Sequence, residues 1–522
     1  MNLKKSALGI EFGSTRIKAV LLDENREIIA SGSFTWENKL IDGIWTYSLD
    51  EVHNGMRECF ADLKSNFEEK YSCALTEVGA IGISGMMHGF LAFDKEMKLL
   101  APFRTWRNTI TAQAAEELSK AFNFNIPQRW SIAHLYKDIL EEKEYINDIC
   151  FLTTLSGYVH YLLTGNKVLG ICEASGMFPI DSNTNNYNQE FTQIFEALAI
   201  KNKCSLKLED ILPKALTAGE KAGVLTEQGA MLLDPTGTLK AGIPFAPPEG
   251  DGGTGMVATN SVRLKSGNVS AGTSVFAMVV VDRLPKPYRE IDMITTPDGL
   301  PVAMIHCNNC TSDINSWVKL FSEFAECIGA EINIGDIYNL LFKKALEGEY
   351  DCGGLISYNY LSGEGITDVD SGVPIFLRRP DSLVTLANFM RTHIYSSLAT
   401  LKLGLDLLKK ENIEIDKLFA HGGLFKTPEV GQRILSSAVG SPVTVSDSAG
   451  EGGPYGMALL TAYMLDKTDE TLAEYLDNKI FSKTETCEIM ASKEDTEGFN
   501  RFMESYTQAF KVEKTATEIN LC

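Results

Sequence analysis

Two short corners hold the residues with the most evident chemistry. Gly13-Ser14-Thr15 interrupts the apolar stretch that runs from Leu8 to Asp23, and Gly272-Thr273-Ser274 interrupts a second one from Gly267 to Asp282. A glycine at a strand-to-strand turn lets successive backbone N–H groups point outward together, and neighbouring hydroxyls add donors, so such a corner can hold phosphate oxygens. One Gly-Ser-Thr alone is usually a plain turn. Here the flanks repeat: Gly13 and Gly272, like Asp23 and Asp282, are 259 residues apart. The chain reads as internally duplicated, with two corners able to clamp a polyphosphate.

The elements that must position these corners follow from apolar patterning. Each corner joins two strands. After the first come a strand at Glu27–Phe34, a helix near Glu51–Asn66 and a buried-type strand Val78–Ser84 ending in Gly85. After the second come a strand at Pro301–His306, a helix near Asp313–Ile328 and a long helix expected to start behind a Pro380-Asp381-Ser382 cap. A strand at Ile415–Ala420 then enters His421-Gly-Gly-Leu-Phe-Lys-Thr427. The glycine- and proline-dense stretch Ala246–Gly255 reads as a flexible crossing between two lobes. Beyond Leu465 the sequence is charged and reads as helical decoration.

Bulk properties narrow the partners. A chain of 522 residues needs at least two cores. Its net charge of -21 repels nucleic acid and anionic membranes, so neither is expected as a partner. Eleven cysteines show no framework, and only Cys307-Asn-Asn-Cys310 has metal-like spacing, without a second pair to complete four ligands. They read as reduced cytosolic thiols. The start has Glu11 inside its first apolar stretch, and the run Val275–Val281 is too short to span a bilayer, so a cytoplasmic protein is expected.

Five motifs occur in the order and spacing of the FGGY carbohydrate kinases, which the chain resembles over roughly its first 465 residues. They are Gly9-Ile-Glu-Phe-Gly-Ser-Thr15 with Lys18, Ile81-Gly-Ile-Ser-Gly-Met-Met-His-Gly89, Gly250-Asp-Gly-Gly-Thr-Gly255, Ala271-Gly-Thr-Ser274 and His421-Gly-Gly-Leu424. The resemblance implies an α/β protein with two ribonuclease-H-like, actin-like ATPase lobes and an active-site cleft between them. It implies an N-terminal lobe over 1–252, a nucleotide-binding lobe over 253–465 and an extension over 466–522. It further implies transfer of the ATP γ-phosphate to a small sugar, with Mg²⁺ and with Asp251 as the base. On the same grounds Gly13, Ser14, Thr15, Gly272, Thr273 and Ser274 form the phosphate cradle, Gly422, Gly423 and Leu424 form the adenosine edge, and Lys18 is a candidate to neutralise phosphate charge. Met87 and His88 match the pentulose-kinase form of the sugar loop, and Trp106, Arg107 and Asn108 are the expected sugar contacts. Trp45 reads as packing. A homodimer is left open.

Several departures mark a divergent branch. The usual first-corner aspartate is Glu11, which would reach Mg²⁺ through water. His134 stands where the family has lysine, Gly363-Glu-Gly-Ile-Thr367 replaces the usual Gly-Glu-Arg-Thr-Pro, and the helix after Arg391 lacks the common glutamate. An actin-like ATPase explains the corners but not Met87-His88-Gly89, Trp106 or Asp251. A sugar-binding regulator without catalysis has Glu11 in its favour. A kinase acting on a ketopentose, or on another ketose or polyol, accounts for the whole set.

Overall fold

Every residue of the first strand except Glu11 is buried, as expected where an apolar run is covered on both faces. This strand, β1 (Ala7–Phe12), lies antiparallel to β2 (Arg16–Leu22), which in turn pairs with β3 (Ile28–Thr35). Helix α1 (Leu49–Tyr71) starts at a capping box between Ser48 and Glu51 and packs Val52, Met56, Phe60 and Leu63 into the core under these strands. On the other side of β1 lies β4 (Ala80–Gly85), parallel to it, and β4 is joined by the two-residue β5 (Glu249–Gly250). The register aligns Glu11 with Ser84 and Ser84 with Glu249; one step on, Phe12 aligns with Gly85 and Gly85 with Gly250. The carboxyl ends of three parallel strands therefore deliver Gly13, Met86 and Asp251 to one edge, where parallel sheets hold ligands. Asp251 opens α2 (Asp251–Ala258).

The computed structural model describes residues 2–446, 452–466 and 469–519. Contacts divide it into two units. The first holds Met1–Val262, Lys286–Val302 and Glu451–Lys483; the second holds Arg263–Pro285, Ala303–Gly450 and Thr484–Cys522. The second unit repeats the plan of the first. Strand β6 (Ser266–Ala271) is antiparallel to β7 (Val275–Val280), and β8 (Pro301–Cys307) lies beside β7. Helices α3 (Ser312–Cys327), α4 (Ile334–Ala345) and α5 (Leu386–Lys410) follow. Strand β9 (Lys417–His421) then runs parallel to β6, as β4 does to β1. Next come α6 (Val430–Val439), β10 (Val443–Ser446), and, after the chain has contributed α7 (Gly452–Asp466) to the first unit, β11 (Thr486–Ile489) and α8 (Lys493–Ala516). The duplication read from the sequence is thus a duplicated topology.

Three expectations are corrected. Helix α5 starts at Leu386, not behind Ser382: Thr385 is its cap, accepting from Asn388 N–H at 3.1 Å, while the Ser382 hydroxyl accepts from Arg379 N–H and donates to Gly354 O. Two glycines of Ala246–Gly255 are packing positions rather than loose joints: a Cβ on Gly250 would collide with Met87 and Glu173, and one on Gly253 would press on Cys172. The charged tail also does more than decorate, since α8 buries Phe499, Phe502 and Tyr506, with Phe499 and Phe502 against Tyr395 of α5. Among the described residues no helix is long and apolar enough to cross a membrane.

Candidate active site

In the first unit the corner between β1 and β2 is built by tying its carbonyls down. Trp36 Nε1–H donates to Gly13 O at 2.7 Å, the Tyr47 hydroxyl donates to Ser14 O at 2.6 Å, and Trp36 N–H donates to Thr15 O at 3.2 Å. Trp36 and Tyr47 stack on one another with centroids 4.1 Å apart, so the two anchors fix each other. With these oxygens taken up by the protein and Thr15 exposed, the corner has hydroxyl and amide donors to offer an anion. Gly13 closes the turn, its N–H donating to Arg16 O at 3.0 Å.

The second corner reaches the same state with different residues. Gly272 O accepts from both the N–H and the hydroxyl of Thr311, at 3.0 and 2.7 Å, and Thr273 O accepts from Cys310 N–H at 3.0 Å. The hydroxyls of Thr273 and Ser274 stay accessible. This gives Cys307-Asn-Asn-Cys310 a structural purpose: its end supplies the N–H groups that hold the corner, while both thiols are buried and pushed up by that burial. Gly422 has φ +104, and a Cβ there would collide with Ala271 O, so only glycine fits. Gly422 and Gly423 expose backbone, whereas the Leu424 side chain is fully buried and belongs to the core. Of the expected adenosine edge, only the two glycines face out.

Asp251, Met87 and His88 come together in the first unit. Asp251 Oδ1 accepts from Met87 N–H at 3.0 Å. The side chain keeps solvent-accessible surface, yet protein packed around it raises its pKa above the usual range, with the Met87 and Gly252 amides opposing the rise. Surface access is what a substrate meets, so this carboxylate is reachable. Glu11 is pushed up to about 7, first by burial, then by the charge of Asp251, with Lys18 across the strand pair lowering it. Helix α7 crosses this strand at its glycines: a Cβ on Gly453 would collide with Glu11 Oε1 and one on Gly456 with Thr254 O.

His88 is buried in a left-handed conformation, φ +67, with Nδ1 3.1 Å from Gly176 O. Burial and the nearby Arg129 hold its pKa at about 3, so the ring is neutral; Nδ1 carries the proton and donates to Gly176 O, and Nε2 is left as an acceptor. Trp106 is 41% exposed and its Nε1–H donates to Ser14 Oγ at 3.2 Å, which puts an open ring face beside the first corner. Arg107 lies over the Trp45 ring at 3.5 Å. Asn108 is committed to the backbone: Oδ1 accepts from Trp45 N–H, and Nδ2 donates to Trp45 O and Thr105 O. It orders the segment that carries Trp106 and Arg107 and has no free amide hydrogen for a sugar. Lys18 is exposed on β2.

Other residues of the site carry no sequence signal. Arg129 reaches His88 electrostatically and is paired with Asp292, which also accepts from Asn125 at 2.9 Å. Glu173 and Glu249 are buried behind Met87 and Gly250. Burial pushes Glu249 to about 8 and Glu173 well above the carboxylate range, Thr154 opposing the second rise. Trp36, Tyr47 and Thr311, which tie down the corners, stand far from them in sequence. His134, at the lysine position, is fully buried beside Phe90 with its pKa lowered to about 3, so it supplies no cation.

Residues 6–258 match the model of the FGGY family of carbohydrate kinases, N-terminal domain, and residues 267–465 match that of its C-terminal domain. A xylulose kinase of Haemophilus influenzae is 23% identical over 451 residues, covering 80% of this chain and 82% of that protein. Among solved structures, a ligand-bound xylulose kinase from Lactobacillus acidophilus is similar with a TM-score of 0.77 at 17% identity, over 97% of this chain and 98% of its own. A gluconate kinase from the same organism is similar with a TM-score of 0.76 at 18% identity, again over 97% and 98%. The fold is the two-lobed, actin-like ATPase architecture, α/β in both halves.

Proposed function

The chain belongs to the FGGY family of carbohydrate kinases and is a sugar kinase; on that premise we propose that its acceptor is a ketopentose of the xylulose or ribulose type and that Asp251 is the base. The observation that carries this reading is the reachable Asp251 carboxylate, held by the amide of Met87 next to the neutral His88. A neutral imidazole with a free acceptor nitrogen suits a sugar hydroxyl. The same surroundings suit an uncharged sugar better than an aldonate, because Arg129 is already paired with Asp292 and Arg104 with Asp138.

Phosphoryl transfer spreads charge over the equatorial oxygens of a loose transition state, so alignment and donors matter more than basicity. The amides and hydroxyls of Ser14, Thr15, Thr273 and Ser274 supply donors to phosphate oxygens, and Gly422 and Gly423 offer flat backbone to the adenosine. Trp106 lays its ring against the C–H side of the sugar. Asp251 accepts the proton of the attacking hydroxyl as the new O–P bond forms and ADP leaves. Magnesium bound with ATP supplies positive charge to the phosphates. Glu11 would hold it through water; its oxygens suit a hard cation, and it lies near enough to Asp251 for that charge, after burial, to raise its pKa. The free thiols suit a reducing cytoplasm.

The test is a coupled ADP assay with xylulose, ribulose, hexuloses, glycerol and gluconate. A ketopentose should have the highest kcat/KM. Faster turnover of glycerol or gluconate would overturn the substrate reading, and sugar binding with no transfer to any acceptor would favour the regulator.

A further inference from the structure

The side chain of Glu249, two residues before Asp251, is 1% exposed and joins two segments of the first unit. Its Oε2 accepts from Glu173 N–H at 3.0 Å, and the amides of Cys172 and Gly250 also face the carboxyl. A carboxyl on β5 thus holds the first turn of the short helix Ile171–Ser175, and Gly170 N–H, donating to Pro248 O at 2.7 Å, closes the same joint through the backbone. That helix leads directly to the sugar loop, because the carbonyl that accepts from His88 Nδ1 belongs to Gly176, its next residue. Glycines mark the fit. Gly170, Gly176 and Gly250 have φ of -65°, -81° and -87°, which any residue adopts, so room and not conformation requires them. A Cβ on Gly170 would collide with the Glu249 carboxyl, one on Gly176 would lie 2.8 Å from His88 Nδ1, and one on Gly250 would collide with Met87 and Glu173.

We propose that Glu249 is a positioning residue for the acceptor site: its carboxyl clamps the helix Ile171–Ser175 to the strand that leads into Asp251, and thereby sets the Gly176 carbonyl that orients His88. The proposal rests on Asp251, Met87 and His88 forming the acceptor site, and not on which sugar they take. Two ties meet on one loop. Asp251 Oδ1 holds it at Met87 N–H, and Gly176 O holds the next residue at His88 Nδ1. Both ties lead back to β5 and its next residue, so the placement of the imidazole relative to the Asp251 carboxylate depends on Glu249 reaching the Glu173 amide. The far end of the helix is fixed separately, with Thr295 N–H donating to Ser175 Oγ at 3.1 Å, so losing the clamp frees the near end and leaves the segment folded. The clamp needs side-chain length and an acceptor oxygen. Glutamine has both, and alanine has neither. A misplacement of about 1 Å at a reacting centre can cost about 10²-fold in rate, so the clamp acts on kcat as well as on sugar binding.

Steady-state kinetics on the acceptor that the wild type phosphorylates fastest, together with amide hydrogen exchange, which needs no turnover, test this on four variants. Glu249→Ala should raise the sugar KM about tenfold and lower kcat on the order of 10²-fold, with the ATP Kd within about twofold of wild type. Its amide exchange should quicken at 86–89 and 171–177 and stay unchanged at the corner 13–16. Glu249→Gln should restore both kinetic constants to within about threefold of wild type. Gly170→Ala should reproduce the Glu249→Ala defect by displacing the carboxyl, yet add nothing in the Glu249→Ala background, where its Cβ has room. Losses that add in the double variant overturn the clamp. So does a Glu249→Ala protein with a lower melting temperature but wild-type KM and kcat, or a Glu249→Gln protein as impaired as the alanine one. A wild type that phosphorylates no sugar overturns the acceptor reading instead, whereas unchanged exchange at 86–89 in Glu249→Ala overturns the clamp whatever the kinetics show.

Discussion

Asp251→Asn separates proton transfer from binding in one step. The amide oxygen of asparagine can still accept from Met87 N–H, now at 3.0 Å from Oδ1, so the sugar loop keeps its anchor. The amide cannot take the proton of the attacking hydroxyl. Loss of a positioned base costs on the order of 10²–10⁴ in kcat, or about 2.7–5.4 kcal/mol of transition-state stabilisation. Removing one negative charge from the first unit also lowers repulsion towards a polyphosphate, so the ATP Kd should be unchanged or tighter. A second signature follows from Glu11, whose pKa of about 7 is raised partly by the charge of Asp251. In the asparagine variant that pKa should fall, and difference infrared titration of the carboxyl band can read it. Calorimetry for ATP and sugar and a coupled ADP assay on one preparation give the other two numbers. A variant with kcat within threefold of wild type removes Asp251 as the base. One that loses sugar binding as well assigns it a structural role.

Three further outcomes are expected. Alanine in the interior of a helix ordinarily stabilises relative to glycine by about 1 kcal/mol, but Gly456→Ala should destabilise by about 2 kcal/mol or more in urea melts, because its Cβ would overlap the Thr254 carbonyl oxygen; a gain in stability would refute the tight crossing of α7 and α2. Glu249 has its pKa raised from 4.5 to about 8, so its contribution to stability is fully present below about pH 4.5 and is lost as pH rises towards 8. Glu249→Gln should therefore be the more stable protein at pH 8 and gain nothing at pH 4.5, a difference on the order of 4 kcal/mol at most, read from melting temperatures at the two values; parallel pH profiles would show that this carboxyl does not titrate in the range. Trp106→Ala should raise the sugar KM on the order of tenfold, while Trp106→Phe, which keeps a ring but loses the bond to Ser14 Oγ, should stay within about threefold; equal effects would move the role of Trp106 from ring contact to corner support.

The local elements were legible because their causes are local. Apolar runs on either side of Gly13 and Gly272 specify two strand pairs, and their recurrence 259 residues apart specifies that the halves share a plan. The start of α5 differs because Ser382 and Thr385 are both good caps locally, while Gly354 O, which claims the Ser382 hydroxyl, is 28 residues away. The glycines at 250 and 253 look in sequence like flexible joints. Only the packing shows that each leaves room for a particular neighbour, namely Met87 and Cys172. Asn108 and Leu424 have residue types and positions suited to ligand contact, and tertiary hydrogen bonding and burial commit them elsewhere. Conversely, Trp36, Tyr47 and Thr311 give no hint of function in their own segments, yet they hold the carbonyls of both corners. The sequence by itself determined which backbone corners this protein has and that they come as a pair. The tertiary structure decided which groups hold the corner carbonyls and how charged Glu11, His88 and Glu249 are, because both depend on atoms brought near from distant parts of the chain and on the water those atoms exclude.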